Sequence, residues 1–230
     1  RRQLPMRTQA REIPAVLAGP VLRRATRHRV AFWIAARAPA QVRVTLVAGD
    51  GITRSVEMDG HHPGLSRLRA GQNLCYLLID LELDVALPVD SWVDYRIELR
   101  MEDDPEASWQ GHESWAEDLC FAGRRSPGFL IPERVGSLLH GSCRKPHHPG
   151  TDGLAEAERY VRDLLGGPDG AGAAAWPSML VMSGDQIYAH DVAGPLLRAI
   201  HRLIEKTGIF GESLAGLGPR RFRHSRELAA

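Results

Sequence analysis

The stretch "QVRVTLVAGDG", residues 41–51, shows the pattern on which the prediction of the fold depends. Apolar Val42, Val44 and Leu46 alternate with other residues, and the run stops at Asp50-Gly51. Because successive side chains of a strand point to opposite faces, this alternation predicts a strand with one buried face and one wet face. The Asp-Gly pair is typical of a turn after such a strand.

Neighbouring segments repeat this pattern on both sides of residues 41–51. The stretches "HRVAFWIAA" (28–36) and "WVDYRIELR" (92–100) alternate, whereas "LCYLLIDLEL" (74–83) is a more continuous apolar run. Alternating strands separated by turns are typical of an antiparallel sandwich. We predict a small β-sandwich of immunoglobulin or fibronectin type III character over residues 15–122. The glycine and proline residues of the next segment predict a linker over residues 123–134.

The pattern changes after residue 135. Two short continuous apolar runs, "VGSLLHGS" (135–142) and "SMLVMS" (178–183), predict buried strands. Each precedes a segment with helical periodicity, "TDGLAEAERYVRDLLGG" (151–167) or "VAGPLLRAIHRLIEK" (192–206). The order strand, helix, strand, helix predicts a parallel pair formed by residues 136–142 and 179–183. Residues 135–230 are therefore predicted to form an α/β unit, and two strands are too few for a covered sheet.

Composition narrows the classes of function and location. The 230 residues are 43% hydrophobic and 25% charged, and a net charge of +1 favours neither a nucleic-acid partner nor a membrane surface. No apolar run is long enough to span a bilayer. The chain has three cysteines, Cys75, Cys120 and Cys143. Because their number is odd and too small for a disulfide scaffold, it favours a reducing compartment. We expect a cytoplasmic location, although the absence of an initial methionine favours an incomplete N-terminus.

Candidate metal ligands lie where the two predicted parallel strands end. Cys143 follows the first strand, and "GDQIY" (184–188) follows the second. Gly184 would let a ligand approach the backbone, Asp185 would offer carboxylate oxygens, Tyr188 a phenolate and Cys143 a thiolate. This donor set suits a ferric ion, Fe(III), with a harder cation such as Ca²⁺ beside it and the carboxylate bridging the two.

Other interpretations of the same residues remain open at this point. Cys143 could be a small buried apolar side chain, Asp185 a helix cap and Tyr188 an interface residue. With Cys143, the histidines that flank the two loops could instead bind zinc, namely His140, His147, His148 and His190. Arg144 beside Cys143 is a tentative phosphate-binding residue, and with Lys145 it could equally be solvated. His61-His62 are predicted to lie in a turn.

Two motifs resemble a known family. The PhoD-like alkaline phosphatases are the family that this chain resembles in the motifs "HGSCRKPH" (140–147) and "LVMSGDQIYAHDVAGPLLRAI" (180–200). The β-sandwich that precedes the catalytic domain in that family is similar to the segment "LAGPVLRRATRHRVAFWIA" (17–35). The resemblance implies a calcineurin-like αββα metallophosphatase domain that hydrolyses small phosphate esters at a Fe(III) and Ca²⁺ centre. It also implies that Cys143 and Tyr188 bind iron and that Asp185 bridges iron and calcium.

The chain departs from that family in length. Such enzymes are much longer, and further aspartate, asparagine and histidine ligands follow the region that this sequence covers. We therefore expect either a fragment of a longer phosphatase, inactive by itself, or a protein that has lost the site. The competing hypothesis is a non-catalytic binding module built on the sandwich, with Trp109 and Trp115 as the residues to test.

Overall fold

The strands of the N-terminal part follow the apolar alternation in the sequence. This computed structural model describes residues 13–49, 51–121, 123–145, 148–166, 175–188 and 191–213. Its strands are β1 Val16–Thr26, β2 Arg29–Ala36, β3 Ala40–Ala48, β4 Thr53–Met58, β5 Leu65–Gly71, β6 Leu74–Glu82, β7 Trp92–Met101, β8 Gln110–Gly111, β9 Gly128–Leu130, β10 Leu139–Ser142 and β11 Leu180–Ser183. The α-helices in these ranges are α1 Gly153–Gly166 and α2 Gly194–Thr207.

Strands β1 to β9 form two antiparallel sheets. One has the order β1-β2-β6-β5, and the other has the order β4-β3-β7-β8 with β9 also paired to β7. In β3 and β7 buried and less buried residues alternate, as the sequence pattern predicts. The prediction of an antiparallel, sandwich-like N-terminal part is confirmed.

The hydrophobic core lies between these two sheets. Phe32 of β2 in one sheet contacts Tyr95 of β7 in the other, with ring centroids 4.8 Å apart, and Phe129 of β9 lies beside Tyr95. Around them pack aliphatic side chains from β2, β3, β6 and β7, most of them fully buried. Burial of this kind stabilises a domain by about 25 cal/mol for each Å² of apolar surface removed from water.

The stretch predicted to be a linker, residues 123–134, contributes to the sandwich. β9 pairs with β7 through Val93↔Phe129, and both Phe129 and Ile131 are buried in the core. A Cβ on Gly128 would lie 2.4 Å from Nε1 of Trp92, so glycine is what lets this strand approach the Trp92 ring. Glycine and proline here mark a short edge strand rather than an unpaired connection.

Strands β10 and β11 form a separate parallel pair, in the register Leu139↔Leu180 to Ser142↔Ser183. This confirms the predicted strand–helix–strand order and the parallel pairing. The prediction that both strands are buried is wrong for the described residues, since Leu180 of β11 is 51% exposed and no residue of β10 or β11 is buried. The reason is that a two-stranded sheet cannot cover its own apolar faces. Neither helix in the described ranges has the length and apolar character that crossing a membrane requires.

Candidate functional site

The loops after β10 and β11 lie side by side because the strands are parallel. The backbone N–H of Cys143 donates to the carbonyl of Ser183 at 3.3 Å, which extends the contact between the strands by one residue. Gly184 follows directly, in the left-handed backbone region with φ 69°. Cys143 and the segment 184–188 are thus brought to the same edge of the sheet, as the sequence predicts for strand ends.

The sulfur of Cys143 is the point on which the candidate ligands converge. Ser142 Oγ lies 3.2 Å from it, and it accepts hydrogen bonds from the Tyr188 hydroxyl and the Asp185 backbone N–H. A Cβ added at Gly184 would lie 2.7 Å from the sulfur, so only glycine leaves room for this approach. Tyr188 through its hydroxyl and Asp185 through its backbone N–H therefore lie against the sulfur of Cys143, the third residue of the predicted set.

These contacts change the acidity of the thiol and of the phenol. Hydrogen bonds from Ser142, Tyr188 and the Asp185 backbone lower the pKa of Cys143 below its usual value, because they stabilise the thiolate. The pKa of Tyr188 is raised, first by its hydrogen bond to Cys143. The negative charge of Asp185 opposes ionisation of both groups. The shared hydrogen bond therefore makes Cys143 the more acidic and Tyr188 the less acidic of the two groups relative to their usual pKa values.

Three of the alternative interpretations do not match this geometry. Cys143 is exposed, so it is not a small buried apolar side chain. Helix α2 begins at Gly194 with Ala193 at its N-cap, so Asp185 does not cap it. The hydroxyl of half-buried Tyr188 is engaged with Cys143 instead of only filling an interface.

The basic residues after Cys143 are held by carboxylates. Arg144 makes a two-pronged pair with Asp152, Nε to Oδ1 at 3.0 Å and Nη2 to Oδ2 at 2.6 Å. Lys145 forms an ion pair with Asp191. Arg144, the tentative phosphate-binding residue, would have to exchange Asp152 for a substrate phosphate, or share its guanidinium between them.

A cleft of about 750 Å³ opens beside these loops. The residues that line it include polar Cys143, Arg144, Lys145 and Tyr188, and also Leu180 of β11 and Tyr160 of α1. Asp185 is not among the residues that line it. The volume is in the range of small-molecule sites, so the thiol and the phenol lie beside a space that a ligand could enter.

The zinc interpretation receives no support from the described histidines. His140 Nε2 lies 2.7 Å from Ser183 Oγ, and Nδ1 of His148 accepts from the Gly150 N–H. His147 and His190 lie outside the described residues. Within the described ranges no group of three or more His, Cys, Asp or Glu side chains is arranged to hold a metal ion. Among the described residues, a centre at Cys143 cannot be built from His, Cys, Asp and Glu side chains alone.

Trp109 and Trp115, the residues of the binding-module hypothesis, both contact other residues of the N-terminal part. The Trp109 ring lies under the guanidinium groups of Arg43 and Arg100, 4.2 and 4.9 Å from the ring centroid. Trp115 donates its indole N–H to the carbonyl of Gln110 and packs on the core. Trp109 therefore stacks with arginines on the outer face of β3 and β7, and Trp115 packs against the core. His61 and His62 lie in the β4–β5 turn, as predicted.

Sequence reasoning missed two residues of this site. Ser142 contacts the Cys143 sulfur, and Asp191 pairs with Lys145. Ser142 could have been found from its place at the end of β10. Nothing in the sequence signals the pairing of Asp191, because it joins two loops that are 46 residues apart.

Comparison with known proteins covers mainly the sandwich. A family model described as "Domain of unknown function (DUF7800)" matches residues 13–102, which is less than half of the chain and ends before the candidate site. A search of curated proteins gives no match.

Among solved structures, the cycloalternan-degrading enzyme from Trueperella pyogenes, in complex with a covalent intermediate, matches 52% of this chain at 13% identity and a TM-score of 0.27. The matched part is 16% of that enzyme's chain. A likeness at that TM-score carries no argument about the fold or function of this chain.

Proposed function

We propose that these residues belong to a metal-dependent phosphoric ester hydrolase similar to the PhoD-like alkaline phosphatases, with a Fe(III) and Ca²⁺ type of centre. The observation that carries the proposal is that the Tyr188 hydroxyl and the Asp185 backbone N–H meet at the exposed Cys143 sulfur, with the charge of the Asp185 carboxylate nearby, at the carboxyl ends of a parallel strand pair. Its substrates would be small phosphate monoesters or diesters.

The donor groups fit the proposed cations in their chemistry. The pKa of Cys143 is lowered, which makes its thiolate easier to form, and Tyr188 would supply a phenolate once a trivalent cation displaces its proton. The Asp185 carboxylate is the hard ligand that Ca²⁺ prefers, and it can bridge two cations. When bound, such a pair of cations supplies Lewis acidity to the phosphoryl oxygens and lowers the pKa of water at the site.

The described residues provide only part of such a centre. Three donors are fewer than two metal ions require, and no other cluster of His, Cys, Asp or Glu in the described ranges completes them. The proposal therefore assigns the activity to a longer protein that supplies further ligands. We expect the 230-residue chain alone to bind metal weakly and to hydrolyse no phosphate ester.

The proposal extends to the two parts of the fold. The strand orders β1-β2-β6-β5 and β4-β3-β7-β8 correspond to A-B-E-D and C′-C-F-G of an immunoglobulin-like sandwich. The pair β10–β11 with α1 and α2 would be the first part of an αββα metallophosphatase domain. The exposed apolar residues of β11 and α2 are consistent with a larger sheet that packs against them.

Titration of the chain with chelated Fe(III) tests the metal assignment. A phenolate bound to Fe(III) gives a charge-transfer band in visible light, and we expect a weak band that Tyr188→Phe removes. Tyr160→Phe is the matched control, because Tyr160 of α1 is a second phenol that lines the cleft. A band unchanged in position and intensity in Tyr188→Phe, or none in the parent chain at high Fe(III), would contradict the assignment, whereas a weaker, shifted band from the Cys143 thiolate would agree with it.

Activity is tested in a longer protein that contains these residues. There we expect Asp185→Asn to lower kcat/KM for p-nitrophenyl phosphate by about a hundredfold or more, and Tyr188→Phe to lower it less. The order follows because a bridging carboxylate would support both cations, whereas the phenolate supports one. Full activity in Asp185→Asn would contradict the proposed function.

A further inference from the structure

The C-terminal end of α2 is hydrogen-bonded to the sandwich through its backbone. Phe210 N donates to Ala70 O at 2.9 Å, Gln72 N to Gly208 O at 3.0 Å, and Asn73 N to Thr207 O at 2.8 Å. These bonds join the β5–β6 turn to the residues that end α2, and we call residues 70–73 with 207–210 the anchor.

Side chains in the anchor fit closely. Asn73 Nδ2 donates to the carbonyl of Lys206 at 2.9 Å. Thr207 is only 4% exposed, and its hydroxyl donates to Leu203 O at 2.7 Å. A Cβ on Gly71 would lie 2.7 Å from Thr207 O, so a larger residue at position 71 would push the two segments apart. The anchor is thus a specific contact between two parts of the chain, and it covers one edge of the sandwich.

The segment before the other end of α2 is connected to the candidate site. Asp191 N donates to the carbonyl of Tyr188 at 3.1 Å, and the Asp191 carboxylate pairs with Lys145. Lys145 lies two residues after Cys143. Asp191 therefore contacts both loops of the candidate site, three residues before α2 begins.

Between its two ends, α2 has little packing in the described structure. Leu203 and Ile204 on its apolar face are exposed, and so are Leu196, Leu197 and Ile200. Since the middle of the helix is not fixed by burial, contacts at its ends determine its position. A 14-residue helix spans about 21 Å, so a shift at Thr207 is carried to the residues before Gly194.

We propose that the sandwich is a positioning domain for the candidate site. The anchor fixes α2, α2 fixes Asp191, and Asp191 holds the loops that carry Tyr188 and Cys143. Gly71 and Asn73 are then positioning residues, although they lie in the sandwich. The proposal rests on the proposed function only in taking these loops as functional, and its test needs neither metal nor substrate.

Amide hydrogen exchange in Gly71→Val tests this coupling. We expect exchange to become about tenfold faster at Gly208 and Phe210, and also at Cys143 and Asp191, because opening of the anchor frees α2. The core strands β2 and β6 should keep their exchange rates. Ser66→Ala is the matched control, since Ser66 is an exposed residue of β5 outside the anchor.

A second variant decides the outcome if Gly71→Val unfolds the sandwich. Asn73→Ala removes the side-chain bond to Lys206 O and leaves the backbone of the turn free to form. We expect a roughly threefold increase at the same four amides. Faster exchange confined to 207–210, with Cys143 and Asp191 as in the parent chain, overturns the proposal. That result would leave the metal assignment intact, and loss of the Fe(III) band alone would leave the positioning role intact.

Discussion

At the scale of single residues, Cys143 combines an uncommon backbone with an uncommon side-chain environment. Its φ of 56° lies in the left-handed region, which L-residues other than glycine, asparagine and aspartate rarely adopt. The sulfur receives hydrogen bonds from Ser142, Tyr188 and the Asp185 backbone. A backbone strained at an exposed, polar thiol is expected where the sulfur has a role, since packing alone does not require it.

The acidity of this thiol gives a test at the same scale. Because hydrogen bonds lower the pKa of Cys143, its alkylation by iodoacetamide should reach half its maximal rate at a lower pH than for an unperturbed cysteine. Tyr188→Phe removes one of the donors, so this half-point should move to higher pH. Peptide mass spectrometry separates Cys143 from Cys75, whose pKa burial raises.

Tyr160→Phe is the control for that shift, because it removes a phenol from the same cleft without touching Cys143. If the pH profile of Cys143 alkylation is the same in Tyr188→Phe as in the parent chain, the hydrogen bond from Tyr188 is absent in solution.

At the scale of elements, the first turn of α1 depends on Asp152. Its Oδ1 accepts from the Leu154 N–H at 3.1 Å, which satisfies a helix N–H that has no partner within the helix. The same carboxylate holds Arg144 and so joins α1 to the loop after β10. An aspartate directly before a helix is a common cap, whereas no local pattern in the sequence signals the pairing with Arg144.

Substitution of Asp152 separates these two roles. Asp152→Ala removes both, and we expect exchange of the Leu154 amide to become roughly fivefold faster, the usual effect of a lost cap. Asp152→Asn is the matched variant, since asparagine also caps helices but cannot form the ion pair. It should free Arg144 and leave Leu154 protected. Equal acceleration in both variants would show that the ion pair, and not the cap, holds the first turn.

The elements show which features the sequence determines. Strands β2, β3 and β7 were predictable because alternation along one strand reports directly which face is buried. β9 was missed because three residues between glycine and proline are too short to show a period. The parallel loops at Cys143 and Asp185 were predictable from connectivity, whereas the Lys145–Asp191 pair depends on loop conformations that no local pattern specifies.

The exposure of Leu180 is another feature that the local sequence pattern does not determine. Its continuous apolar run indicates that a strand is suited to burial, but it says nothing of what covers the strand. In the described structure β11 has β10 on one side, and α1 contributes only the wall of the cleft. Because the burial of a strand depends on the elements around it, the strand β11 was predicted correctly but its burial was not.

At the scale of the whole molecule, apolar exposure is concentrated in one part. The sandwich encloses its core, whereas after residue 134 the exposed large apolar side chains include Val135, Ile187 at 80% and the apolar face of α2. Contiguous exposed apolar surface of this kind favours association. The open strand pair adds unpaired backbone groups at both of its edges in the described residues.

We therefore expect the 230-residue chain to oligomerise or aggregate at micromolar concentration, and a chain shortened to residues 13–134 to stay monomeric. Sedimentation velocity on the two chains measures this. Ile200→Glu, which places a charge on the exposed face of α2, should shift the whole chain towards monomer, and Glu205→Gln on the same helix serves as the control. If the whole chain sediments as a monodisperse monomer, the apolar residues of β11 and α2 must be covered within one molecule. The idea that this surface awaits further strands or a second chain then fails.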